Sequence, residues 1–509
     1  MPASAETPES AETTATPGPP PSASADTAPA GAGATRLESD SLGELAIPAD
    51  AYWGIHTARA LENFPISRRP ISVYPEFVRA LACVKQAAAR ANREIGALDP
   101  ERAELIDRAC ERIKDGALHD QFVVGVVQGG AGTSTNMNAN EVITNLALEL
   151  AGRPKGDYAY LNPIDHTNRS QSTNDTYPTS IKVGLLFSLG SLLAELAALR
   201  DAFGAKGEEF ATVLKVGRTQ LQDAVPMTLG QEFHGFATTL GEDHDRLWEA
   251  SWLLNEINLG ATAIGTGITA PPGYKEAVLR HLNAITGLRL QTATDLVEST
   301  SDTGAFVSFS GALKRSAVKL SKICNDLRLL SSGPQAGLGE INLPPRQAGS
   351  SIMPGKVNPV IPEAVNQVAF AIVGADMTVT MAAEGGQLQL NAFEPIIAHS
   401  LFQSITWLAN SMHALRVHCV TGITANEDRL ADTVARSVVV VTALTPYIGY
   451  AQAARLAHDA LEQNANVADL VVASGLLSQE AVDKLFRADR LSGVVPPTSP
   501  IPVIPPPRP

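Results

Sequence analysis

Aromatic side chains make up only 5 % of this 509-residue chain, so Ala, Leu and Val must supply its core. Cysteine is scarcer still. Cys83, Cys110, Cys324 and Cys419 lie far apart with no CxxC pair, which excludes a disulfide scaffold and a zinc ribbon and fits a reducing cytoplasm. Positive charge is also short: 39 Lys and Arg face 53 Asp and Glu, a net −14. That sign repels phosphate backbones and anionic lipid head groups, so neither nucleic acid nor a membrane is an expected partner. No P-loop and no HExxH occurs, and Gly130-Ala131-Gly132 lacks the third glycine of a dinucleotide fingerprint. A long uninterrupted apolar run is missing too. Ser437 to Ala454 carries Pro446, Gly449 and several hydroxyls, a poor membrane span that reads as buried helices broken at the proline.

The length allows two to four domains. Of 34 prolines, 15 fall in residues 1–35 and 496–509. Both ends are expected to be disordered, since such composition has too little apolar surface to offset the entropy of ordering. Met1 to Thr35 has no Lys or Arg and no apolar run, so it does not read as an export signal. The folded part spans 36–495.

Inside it the pattern is helical. Leu313, Ala317, Leu320, Ile323 or Cys324, Leu327 and Leu330 recur at steps of three and four, predicting a long amphipathic helix that stops before Ser331-Ser332-Gly333-Pro334. Val183 to Leu199 is apolar nearly all round and belongs in the middle of a bundle. Ile361 to Met381 and Glu427 to Leu444 read as helices as well. The class is mainly α.

Four polar segments interrupt or open these helices. Gln128 to Asn138 precedes a helix ending near Gly152 and is either a plain N-cap or a cradle for an anion at a helix N-terminus. Gln171-Ser172-Thr173-Asn174-Asp175 offers short donors around a carboxylate, or else an ordinary Asx or Ser/Thr turn. In Gly217 to Pro226, Arg218 and Asp223 make a candidate structural ion pair. Gly349 to Val360 (GSSIMPGKVNPV) differs in joining a hinged Gly/Ser stretch, a cation and two prolines before a new helix. There Lys356 can neutralise a carboxylate, and Pro359 or Pro362 can begin a helix whose dipole adds positive potential.

GSSIMPGKVNPV resembles the signature of the aspartase/fumarase superfamily, whose members split a C–N or C–O bond to release fumarate. AYWGIHTARALENFPIS, QGGAGTSTNMNANEV, LNPIDHTNRSQSTNDTYPT, GRTQLQDAVPMTLGQEF and LRLLSSGPQAGLGEINLP follow in the family's order, over about residues 36–490. Gln220 stands where class II fumarases usually carry His, and MAAEGGQLQLNAFEP at 381–395 is similar to the aspartase version of its region.

The resemblance implies an all-α fold of three domains, taken as 36–172, 173–428 and 429–495, in which central helices assemble into a tetramer. Each active site would draw on three subunits. It further implies anti elimination of ammonia from L-aspartate to give fumarate. Ser350 would be the general base, with Thr133, Ser172 and Thr173 on the β-carboxylate, Thr219, Lys356 and Asn358 on the α-carboxylate, Asn174 and Gln220 near the amino group, and Ser351 contacting a carboxylate. Glu363 would support Gln220 or a neighbouring subunit. His166 and His234 read as hydrogen-bonded structure. No cofactor is implied; divalent cations activate some members, and no ligand cluster in the sequence marks a metal site. Hydration of fumarate to L-malate and a non-catalytic helical scaffold stand as alternatives.

Overall fold

The computed structural model describes residues 34–463 and 465–493. The two Pro-rich tails therefore lie outside the described residues, apart from Ala34 and Thr35. Thr35 already belongs to the first strand, β1 (Thr35–Asp40), which pairs antiparallel with β2 (Gly43–Pro48), so this strand begins one residue before the expected boundary.

An N-terminal layer follows, with α1 (Ile55–Asn63), α2 (Pro75–Glu94), α3 (Pro100–Lys114) and α4 (Thr133–Leu150). A bundle comes next: α5 (Thr173–Glu209), α6 (Leu229–Ser251), α7 (Tyr274–Thr286), the single-turn α8 (Glu298–Ser301), α9 (Gly304–Leu330), α10 (Val360–Glu384) and α11 (Glu394–His418). One apolar cluster joins α2–α6 to α9–α11. The predicted periodic helix is α9, whose residues Leu313, Ala317, Leu320, Ile323, Cys324, Leu327 and Leu330 are all buried.

At 37 residues α5 is about 55 Å long. Its start is fixed by a capping box, Ser172 with Asp175. Pro178 lies inside it and cannot donate to the carbonyl of Asn174. The Asn258 side-chain amide supplies that bond at 3.0 Å. The expected all-round burial of Val183 to Leu199 is not met within one chain. Leu185, Leu189, Leu192, Leu196 and Leu199 are buried, whereas Gly190, Ser191 and Ala194 are exposed.

Chain direction sorts the helix ends into two groups. Where α5 ends, Gly230 of α6 donates to the carbonyl of Phe210, Lys206 reaches the carbonyl of Ile423 beyond α11, and Arg328 of α9 meets Asn366 of α10. At the opposite end, Asp175 accepts from Gly260 and Thr262.

Between α5 and α6 the chain forms a hairpin, β3 (Leu214–Thr219) with β4 (Gln222–Thr228), irregular at Gly217. The polar segment 217–226 is thus strand and turn within a mainly helical protein. Glu427 to Leu444 is not one helix. The chain runs as α12 (Glu427–Arg436) and α13 (Val441–Ile448), divided at Ser437, which is extended and accepts from Val439. Pro446 sits inside α13, and the break falls at Gly449, whose φ of 77° turns the chain into α14 (Tyr450–Gln463). These helices and the short ones after them share a small core around Leu444, Leu456 and Val471.

Candidate active site

Two groups of sequence-predicted residues form, at opposite ends of the bundle. The first lies where the N-termini of α4 and α5 meet. Gly132 caps α4 at φ 90°, and a Cβ there would sit 2.4 Å from the Tyr177 ring of α5. Only glycine permits both the turn and the close approach. Two helix dipoles thereby point their positive ends toward one region, as an anion site needs.

Thr133 is exposed on the first turn of α4, its hydroxyl donating to the carbonyl of Gly130 at 2.7 Å. Ser172 Oγ accepts from the backbone N–H of Asn174 at 3.2 Å, and Thr173 Oγ1 accepts from the Asn136 side-chain amide at 3.1 Å. Both hydroxyls are used as acceptors, which leaves their protons to give to a carboxylate. Asn174 donates to the carbonyl of Ala263 at 2.7 Å. Ser172 is thus the N-cap of α5, as the capping preference has it, whereas α4 is capped by Gly132 with no side-chain hydrogen bond.

Asp175 locks this end together. It is fully buried and accepts from Ser172, Gly260 and Thr262 N–H groups at 3.0, 3.0 and 2.9 Å. Burial raises its pKa, and the three backbone donors oppose the rise.

The second group sits beyond the other end of α5. Gln220 and Leu221 form the hairpin tip with φ of 51° and 64°, a turn of the primed type that matches strand twist but strains non-glycine residues. Thr219 and Gln220 are exposed there. Arg218 does not pair with Asp223, its partner in register; it reaches Glu340 at 2.5 Å. Glu340 also holds the buried Lys215, so ion pairs root the hairpin base and leave the tip free.

Beside α10 the signature loop closes on itself. Gly349 N–H donates to the carbonyl of Lys356 at 2.8 Å, and Asn358 donates to the carbonyl of Gly349 at 2.9 Å. Ser350 Oγ accepts two backbone N–H groups, from Ile352 at 3.1 Å and Met353 at 3.0 Å. Those donors are oriented to stabilise an alkoxide. Ser351 and Lys356 are exposed. Pro359 caps α10, and Pro362 and the exposed Glu363 lie in its first turn.

One chain therefore separates Thr133, Ser172, Thr173 and Asn174 from Thr219, Gln220, Ser350, Ser351, Lys356 and Asn358 by roughly the length of α5. His166 Nδ1 takes the N–H of Asn162 at 2.8 Å, a structural contact. His234 lies 3.3 Å from Glu208. Among the described residues, three metal-ligand types, His458, Asp459 and Glu462, cluster on α14, all exposed. Sequence reading missed Asn136, the donor behind Thr173, although it lies inside the quoted polar segment; it also missed Asn258, for which Pro178 in an otherwise good helix is the available signal.

A mainly helical fold in which hydroxyl and amide side chains gather at two helix starts, with a separate serine loop, accords with a lyase of the fumarate-releasing type, and the family matches show that class. Residues 43–374 match the family model described as lyase, and 440–493 match the fumarase C C-terminus: the chain belongs to the aspartase/fumarase superfamily. An aspartate ammonia-lyase of Pseudomonas aeruginosa is 60 % identical over 458 residues, 90 % of this chain and 97 % of that protein. A Brucella melitensis crystal structure named fumarate lyase:delta crystallin, bound to cobalt, superposes with a TM-score of 0.87 at 55 % identity, covering 91 % of this chain and 100 % of that one. A class II fumarase of Schistosoma mansoni gives 0.83 at 32 %, over 90 % and 99 %.

Proposed function

We propose that this chain is an aspartate ammonia-lyase, catalysing the reversible anti elimination of ammonia from L-aspartate to give fumarate. Its 60 % identity to a named aspartate ammonia-lyase over 90 % of its length is the observation that carries the reading. The geometry supplies a physical route. Removing the C3 proton places a second negative charge on the β-carboxylate. The protons of Ser172 and Thr173, Thr133 and two helix N-termini are placed to favour that dianion over the ground state.

Ser350 is the base in this reading. Its oxygen already accepts two loop N–H groups, and closing the loop over substrate excludes water and strengthens both. Lys356, Asn358 and Thr219 hold the α-carboxylate, Ser351 adds a carboxylate contact, and Gln220 and Asn174 face the departing ammonia. Fixing both carboxylates sets the anti alignment. The reaction so drawn needs no cofactor; activation by a divalent cation would act outside these steps.

The two half-sites meet only between chains. An exposed apolar stripe on α10, Phe370, Val373, Met377 and Met381, is 41–67 % accessible and recurs at steps of three and four, the spacing of a helix-packing seam. We infer a homotetramer in which antiparallel bundles bring one chain's serine loop and another's hairpin to a third chain's cradle. Function in the cytoplasm accords with four free, buried cysteines.

Purified protein followed by fumarate absorbance tests the reading. Fumarate appearing from L-aspartate and not from L-malate is the expected result. The reverse makes the chain a fumarase, and inactivity on both makes it a scaffold.

A further inference from the structure

Lys85 of α2 lies behind the cradle with no exposed surface. Its ammonium donates to Asn136 Oδ1 at 2.6 Å, Asn168 Oδ1 at 2.9 Å and Gln171 Oε1 at 2.9 Å. All three donors go to neutral oxygens and none to a carboxylate. Such a buried charge with no carboxylate in contact is costly, and an apolar side chain would fill the space more cheaply. Burial pulls its pKa down to about 7, opposed by Asp175 and Cys110. A neutral amine has only two N–H donors, so three acceptors hold the charged form.

The network also fixes directions. With Asn136 Oδ1 turned to Lys85, its amide N–H₂ must face the other way, toward Asn168 Oδ1 at 3.2 Å and Thr173 Oγ1 at 3.1 Å. Thr173, accepting from Asn136, has its own proton left for a ligand. The order Lys85, Asn136, Thr173 is thus a one-way chain of donors ending at the cradle.

We propose that Lys85 is a positioning residue for the elimination: through Asn136 it aims the Thr173 hydroxyl at the β-carboxylate and sets a positive charge beneath it that the doubly charged intermediate balances. The inference rests on the functional reading above. It adds a residue to the machinery whose effect grows as charge develops, so it acts on kcat more than on substrate affinity.

Two variants test it in the full-length enzyme, Lys85→Met and Asn136→Asp. The second keeps the lysine paired but replaces the donor facing Thr173 by an acceptor, which draws the hydroxyl proton away from substrate. Two inhibitors report the charge: succinate, and the dianion of 3-nitropropionate, whose nitronate bears a formal negative charge on each of its two oxygens, as the enediolate does. Both variants should lower kcat about 10- to 100-fold, less than the loss of a direct oxyanion donor, with KM for L-aspartate little changed. Affinity for the nitronate should fall at least tenfold more than affinity for succinate. Equal loss for both inhibitors, or an unchanged kcat, overturns the proposal. Should Lys85→Met fail to assemble, Asn136→Asp decides alone by the same criteria. A wild-type protein inactive on L-aspartate removes the functional reading and this inference together, whereas an active wild type with unaltered variants removes the inference only.

Discussion

Asn258 donates its side-chain amide to the carbonyl of Asn174 at 3.0 Å, the acceptor that Pro178 leaves without its helical N–H. A distant loop thus completes the first turns of α5 and holds a cradle residue in place. Asn258→Ala leaves a half-buried carbonyl without its partner, which costs about 1 kcal/mol. Denaturant titration should show that loss, and KM for L-aspartate should rise.

Ser350→Ala removes the proposed base while keeping the loop's size. Because positioned general bases contribute roughly 10²–10⁴-fold, kcat should fall by at least about a hundredfold with KM little altered. Steady-state kinetics on L-aspartate measure this, and near-normal turnover would remove Ser350 from its role.

Gly132→Ala meets the Tyr177 ring and must hold φ near 90°. Adding Tyr177→Leu relieves only the contact. The double variant should therefore recover part of the lost thermal stability and not all of it; full recovery would assign the glycine to packing alone.

Glu394 is buried at the start of α11, and burial pushes its pKa up to about 8, with Lys182 opposing. The folded state keeps that proton through a range in which the unfolded chain has lost it. Its contribution is therefore fully present below the ordinary Glu range near 4.5 and is lost as pH rises through about 8. Glu394→Gln, neutral at every pH, should flatten the decline in unfolding free energy over that window. An unchanged slope would mean that Glu394 is ionised in the fold.

Thr173 opens α5, a helix about 55 Å long, and the Ser350 loop lies toward its other end, so the proposed site needs both from different chains. Inactive Ser350→Ala and Thr173→Val chains, unfolded and refolded as a mixture, should regain activity through hybrid sites, whereas either alone should not. Met377→Lys on the exposed α10 stripe should lower both the mass in solution and the activity. Failure of the mixture to recover, with assembly intact, would argue against sites shared between chains.

Much of this was legible in the chain itself. Apolar spacing marked α9 to its last residue because a buried helix face repeats with the helical period. The polar segments located the starts of α4 and α5 because side-chain oxygens satisfy the N–H groups a helix start exposes: Ser172 does so for α5, and Gln128 takes the N–H of Thr135 in α4. Motif order was enough to indicate the superfamily and the elimination.

Only the tertiary structure decided which residues share a place. Local preference does not show that the hairpin at 214–228 would pair, that Arg218 would choose Glu340 over Asp223, or that Ser437 and Gly449 rather than Pro446 would divide the C-terminal helices; long-range contacts settle each. The same holds for Lys85 and Asn258, ordinary residues in sequence that become consequential because three-dimensional packing surrounds one with amide oxygens and sets the other against an unpaired carbonyl. A rigid 37-residue helix then holds the two groups of polar residues apart, since hydrogen bonds along its axis fix a length that no side chain spans.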